Sequence, residues 1–174
     1  MRYFFSIIIL LLFSTCTKQQ VDSVKASNKV PEVKNIILLI GDGMGVTQIT
    51  AGMYMNGNTL NLERCKVVGL HKSTASNNLV TDSAAGATAF ACGKKTYNGA
   101  IGVGPDKQPI KTILEYAEEK GLATGLVATS TITHATPASF IAHVEQRKMM
   151  EAIAADFMKT EVDLFIGVGK KYFD

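Results

Sequence analysis

A chain of 174 residues with 47% hydrophobic and 19% charged residues is long enough to bury a core and too apolar to be disordered. Its formal net charge of +3 comes without a dense basic patch, which removes the electrostatic case for a nucleic-acid partner. The three cysteines have no metal-binding spacing.

Met1-Arg2 and the apolar run Tyr3 to Phe13 read as the charged and hydrophobic regions of a secretory signal over residues 1–15, because the run is too short to span a membrane. Leu12-Phe13-Ser14-Thr15-Cys16 looks like a bacterial lipobox in which Phe13 and Thr15 depart from the commonest residues, and Cys16 is expected to carry lipid. Residues 16–32 are polar and aperiodic, as a tether to a membrane surface would be. The expected location is therefore periplasmic or cell-surface, anchored by lipid to a bacterial membrane. Cys65 and Cys92 are expected as small buried thiols rather than a disulfide.

Asn35 to Ile40 is a continuous apolar run and predicts a buried parallel strand, with Gly41-Asp42-Gly43-Met44-Gly45 at its C-terminal end, where open α/β sheets bind ligands. A helix is expected over Val46 to Met55 and a short strand over Val67 to Leu70. A second helix runs from Ser83 to about Cys92 and ends at Gly93. Lys94 to Gln108 reads as a surface loop. Thr112 to Lys120 predicts an amphipathic helix stopped by Gly121, and Thr124 to Thr129 a strand. Pro137 suits the first turn of a helix reaching about Val144. Glu151 to Lys159 predicts a helix and Val162 to Ile166 a last strand. Apolar strands alternating with helices predict a doubly wound, mostly parallel α/β sheet over residues 33–174. No element follows to close that sheet, so the sequence reads as a fragment.

Three short stretches carry chemistry. In Val80-Thr81-Asp82-Ser83-Ala84-Ala85-Gly86-Ala87-Thr88-Ala89, Ser83 falls at a helix N-terminus, where unpaired N–H groups and the helix dipole favour an anion. A plain N-cap opening an alanine-rich core helix would look the same locally. Gly41-Asp42-Gly43 lacks the third glycine of a dinucleotide fingerprint, since Val46 stands there, and a carboxylate would repel a pyrophosphate. Asp42 on a glycine turn suits a cation better, although an Asx-turn is an alternative. In His134-Ala135-Thr136-Pro137, Thr136 has a hydroxyl for a metal and also suits an N-cap before proline. Arg147 offers a planar fork that matches phosphate oxygens.

In order and spacing, Ile40 to Gly45, Val80 to Thr88, His134 to Ala138 and Arg147 together resemble the alkaline phosphatase family, and the stretch around Ser83 is its most specific signature. The resemblance implies hydrolysis of phosphate monoesters at a zinc and magnesium (Zn2+, Mg2+) site, through a phosphoserine on Ser83. It implies that Asp42 bridges zinc and magnesium, that Ser83 also meets zinc, and that Thr136 ligates magnesium. Arg147 would clamp the phosphate, with Asp82 orienting it. His134, which stands where some members have aspartate, would act in the outer shell of the third metal. A homodimer is a further implication. The remaining zinc ligands and a magnesium glutamate come from the second half of family chains, so this polypeptide alone is expected to be inactive. Two alternatives remain: a phosphodiesterase-type member of the same superfamily, and a non-catalytic exported lipoprotein fragment. Sulfatase chemistry is disfavoured because no Cys-x-Pro-x-Arg or Ser-x-Pro-x-Arg motif is present.

Overall fold

The computed structural model describes residues 32–174. The expected signal segment, Cys16 and nearly all of the tether lie outside the described residues. The chain divides into two units, Met1–Leu39 and Ile40–Asp174. Within the first, residues 32–39 have no regular secondary structure. No helix among the described residues is long and apolar enough to cross a membrane.

The second unit is an α/β arrangement. Helix α1 spans Val46–Met55, and the Gln48 side chain accepts the otherwise unpaired Gly45 N–H at 3.0 Å. Helix α2 spans Ser83–Cys92 and is opened by Asp82, whose carboxylate accepts Ala85 N–H at 2.9 Å. Gly93 closes α2 at φ +67, the left-handed cap expected of glycine. Helix α3, Ile113–Glu119, starts with a reciprocal cap: Thr112 Oγ1 accepts Glu115 N–H, and the Glu115 carboxylate accepts Thr112 N–H at 2.7 Å. Strands β1 (Gly125–Thr131) and β2 (Leu164–Val168) pair in parallel, with Gly125 opposite Leu164 and Val127 opposite Ile166. Parallel pairing requires a crossover, and it contains α4 (Ala135–Ala138) and α5 (Met150–Phe157).

The core lies between α2, α4, α5 and the chain around residue 101. Ala84, Ile101, Ala138, Ile141, Ile153 and Phe157 are each at most 2% exposed. Phe157 also meets Phe165 and Phe173 edge-on, with centroids 5.2 and 6.1 Å away, which fastens α5 to β2 and the turn after it. The alanines and Thr88 on α2 are small for a reason: the helix is buried along Ala84, Ala85, Ala87, Thr88 and Ala91 and must approach its neighbours closely.

Several expectations fail locally. Residues 35–40 and 67–70 are not strands. Extended backbone becomes a strand only through ladder partners, and the described sheet has two strands. Ile37 is 84% and Leu70 is 101% exposed. The helix expected from Pro137 to Val144 is confined to Ala135–Ala138, after which the chain turns into an isolated antiparallel bridge between Val144 and Ile101. That bridge also corrects the reading of Lys94 to Gln108 as a surface loop, because Thr96, Ala100, Ile101 and Val103 are buried within it. Of the two cysteines expected to be buried, Cys65 is exposed; both are free. Burial, with the Glu115 charge adding to it, pushes the Cys92 thiol up to about 11.

His143, to which the sequence assigned nothing, ties three segments together. Its Nδ1 lies 2.7 Å from Gly102 O, its Nε2 lies 3.0 Å from Glu115 Oε1, and its backbone N–H donates to Asp156 Oδ2. Gly102 has to be glycine for this: at φ +60, an added Cβ would lie 2.1 Å from Ala142 O. Burial alone would raise Glu115, but hydrogen bonding from Thr112 and His143 outweighs it and holds the carboxyl below its ordinary 4.5. A depressed carboxylate stabilises the fold above its unfolded value, and that contribution disappears as pH falls through the lower folded value. Glu115→Gln is therefore expected to lower Tm near neutral pH and to flatten the loss of Tm below about pH 4.5, as read in parallel thermal melts. An acid limb identical to wild type would contradict this.

Candidate active site

The residues singled out in sequence converge at one edge of the second unit. Ser83 is the first residue of α2, and its Oγ accepts a hydrogen bond from Arg147 Nη1 at 2.8 Å. The same Nη1 lies 3.3 Å from Asp82 Oδ2. Asp82 thus serves two ends at once: one oxygen caps α2, and the other holds the guanidinium beside the serine. The remaining arm of the fork, Nη2, donates to His134 Nε2 at 3.0 Å. A guanidinium has no acceptor, so Nε2 must be the unprotonated nitrogen and a neutral His134 carries its proton on Nδ1. That nitrogen faces Asp42 Oδ2 at 3.9 Å, and Asp42 Oδ2 also accepts the Thr136 hydroxyl at 3.1 Å. A continuous polar row therefore runs from Asp82 and Ser83 through Arg147 and His134 to Asp42 and Thr136.

Local structure explains each position. Asp42 sits on a tight turn closed by Met44 N–H to Gly41 O, with Gly43 at φ +70. His134, not Thr136, is the N-cap of α4, so Thr136 lies inside the first turn and its hydroxyl is released toward Asp42. Thr88 and Ser139 join α2 to α4 beneath the site. Their hydroxyl oxygens are 3.2 Å apart, Thr88 accepts Gly102 N–H, and Ser139 donates to Ala135 O at 2.8 Å. Both are completely buried, and nothing in the local sequence marks them as parts of a site. Asn98 was missed as well. Its side chain accepts Asp82 N–H and donates to Val80 O, both at 2.9 Å. A signal existed in the apolar alternation of Ile101 and Val103 beside Asn98, which argues against a wholly solvated loop.

The charges in the row suit a cation. Asp42 makes no ion pair with a lysine or arginine among the described residues, and its one charged-type neighbour there is His134. A carboxylate oxygen and a hydroxyl oxygen 3.1 Å apart form a hard donor pair of the kind magnesium takes. Zinc is normally held by three or four side chains, and the described residues bring together no group of three or more His, Cys, Asp or Glu.

Comparison with known proteins agrees with this arrangement at the level of family. A family model described as alkaline phosphatase matches residues 33–174. Alkaline phosphatase 3 of Bacillus subtilis is 43% identical over 189 residues, covering 94% of this chain and 39% of the relative. Alkaline phosphatase of Escherichia coli K12 is 44% identical, covering 76% of this chain and 30% of the relative. Among solved structures, the alkaline phosphatase of the Antarctic bacterium TAB5 superposes with a TM-score of 0.78 at 51% identity, over 80% of this chain and 41% of that one. A histidine-to-aspartate mutant of the TAB5 protein, described with magnesium bound in its M3 site, superposes with the same TM-score of 0.78 at 50% identity, over 80% of this chain and 40% of that one. The chain spans about two fifths of the length of the first of these relatives.

Proposed function

The chain belongs to the alkaline phosphatase family, and from that premise we propose that it carries the nucleophile and phosphate clamp of an exported phosphomonoester hydrolase. The observation that carries the reading is the 2.8 Å contact between Arg147 Nη1 and Ser83 Oγ at the N-terminus of a buried helix.

On this reading Ser83 Oγ attacks the phosphorus of the ester. A Ser83 O–P bond forms as the serine hydroxyl gives up its proton to solvent, the ester P–O bond breaks, and the departing alkoxide takes up a proton from solvent and leaves as the alcohol. Water then attacks the phosphoserine, releasing inorganic phosphate and restoring the serine hydroxyl. The Arg147 N–H groups now occupied by Ser83 and His134 transfer to two phosphate oxygens, a two-point contact that orients the phosphorus toward Oγ. Asp82 keeps the fork in place through both steps. The free N–H groups of the first turn of α2 add a fixed positive field where phosphate charge collects.

Asp42 and Thr136 would hold magnesium, with His134 in its outer shell, and Asp42 and Ser83 are the residues proposed to touch zinc, which would need further ligands from outside residues 32–174. When bound, these ions supply positive charge that favours the ionised serine and offsets charge on the transferring phosphoryl group.

The test is an assay of the full-length gene product with a chromogenic phosphomonoester and the matching diester. Monoester turnover, lost on chelation and restored only by zinc with magnesium, is the expected result. A preference for the diester, or no turnover in the metal-loaded protein, would overturn the reading. Lipid attachment at Cys16 is proposed with it, from the charged start, the apolar run and the cysteine that ends it. Incorporation of a palmitate analogue should vanish in Cys16→Ala, and labelling that persists would contradict the anchor.

A further inference from the structure

We propose that Tyr97-Asn98-Gly99 is a bracket that sets the spacing of Ser83 and Arg147, with Asn98 as a positioning residue for phosphoryl transfer; the proposal rests on the phosphatase reading of the site. Ser83 and Arg147 are 64 positions apart in sequence and meet at 2.8 Å. The contact itself is a single hydrogen bond from a flexible side chain, so something else must fix the two backbones.

Three consecutive residues do so. On the serine side, the Asn98 amide closes over residues 80–82: its Oδ1 accepts Asp82 N–H and its Nδ2 donates to Val80 O, each at 2.9 Å. The amide acts there as a strand partner would, satisfying one donor and one acceptor of the segment that leads into α2. Its orientation is forced, since Asp82 N–H needs an acceptor and Val80 O needs a donor. The backbone of Asn98 is held in turn by donation to Asn77 Oδ1 at 3.1 Å. On the arginine side, Tyr97 Oη donates to Glu145 O at 3.0 Å, and Gly99 O accepts Arg147 N–H at 2.7 Å. Gly99 takes φ +93, a left-handed backbone conformation that L side chains rarely adopt, so the turn that carries both arms favours glycine.

The two arms make different predictions. Asn98→Ala releases the nucleophile turn but leaves Arg147 N–H on Gly99 O. In the full-length, metal-loaded gene product it is expected to lower kcat about 10- to 100-fold, while inhibition by inorganic phosphate shifts about threefold or less, since an ångström of misplacement is felt mainly in the transition state. Tyr97→Phe removes only the hydrogen bond to Glu145 O, one of the two in the arginine arm, leaving Arg147 N–H on Gly99 O; it should loosen that arm alone and show the reverse order, a small shift in phosphate inhibition that exceeds any change in kcat. Amide hydrogen exchange gives a second readout without turnover: Asp82 N–H should be protected in wild type and lose protection in Asn98→Ala. The bracket is overturned if Asn98→Ala keeps wild-type kcat, if its loss of kcat only follows its loss of folded protein, or if Asp82 N–H exchanges equally fast in both proteins. A wild type without phosphatase activity sinks the phosphatase reading instead, and exchange at Asp82 then decides the bracket by itself.

Discussion

Ser83→Ala in the full-length gene product is expected to leave no acid-trappable phosphoenzyme and to lower kcat by about 1,000-fold or more, the scale on which loss of a nucleophile is felt. The substitution removes one oxygen. Arg147 keeps its contacts to Asp82 and His134, and Ala84 and Ala85, buried on α2, keep the helix seated. Phosphate should therefore still bind, and slow direct attack by water on the clamped ester should persist. Stability should hardly change, because Asp82 and not Ser83 caps the helix. The measurement is quenching at acid pH during turnover, followed by peptide mapping. Phosphate trapped at any other residue, or trapped undiminished in Ser83→Ala, would move the nucleophile elsewhere.

Arg147→Ala should act differently in kind. Oγ remains, so the phosphoenzyme still forms, but two charge-assisted hydrogen bonds to phosphate are lost, each worth about 1.5–3 kcal/mol when fully made. The side chain is 27% exposed, so water replaces part of that loss. The expected fall in kcat/KM is about 10- to 100-fold, or roughly 1.4–2.7 kcal/mol. Inorganic phosphate should inhibit more weakly, because Asp82 is left without its cation beside the incoming dianion. Arg147→Lys should recover little, since a point charge cannot reproduce the fork that reaches Ser83 and His134 together. Unchanged phosphate inhibition in Arg147→Ala would remove Arg147 from the clamp.

The contrast between the two variants rests on a site whose members were nearly all readable in the chain. Asp82, Ser83, Asp42 and Thr136 were marked by local patterns, small residues after an aspartate and a serine, glycines around an aspartate and a proline after a threonine, whereas the roles expected of His134 and Arg147 came from the family resemblance. What the patterns could not give was their adjacency. Asp42 and Thr136 are 94 positions apart, and their 3.1 Å contact joins the turn after Ile40, itself packed against the cluster that holds Phe140, to the first turn of α4, while Thr88 and Ser139 bring α2 against α4 beneath Ser83. Buried threonines and serines of that kind look like any other polar residue in sequence, because their partners are distant backbone carbonyls.

The sequence by itself determined the elements whose signals are local. Helix α1 falls on Val46–Met55 and α2 on Ser83–Cys92, as expected, because capping and the glycine stop at Gly93 act within a few residues. Strands β1 and β2 overlap the apolar runs that predicted them, displaced by one or two residues toward the C-terminus because the parallel register, not the run itself, sets where a strand begins and ends. Tertiary structure alone decided which apolar runs became strands, since residues 35–40 and 67–70 are as apolar as β1 but have no ladder partner among the described residues. It also decided that the stretch from Lys94 to Gln108 turns inward. Its glycines and lysines look solvated in isolation, yet Ile101 pairs with Val144 and Asn98 with the turn before Ser83. Local propensity is set by neighbours in the chain, whereas burial and hydrogen-bond partners are set by residues that only folding brings near.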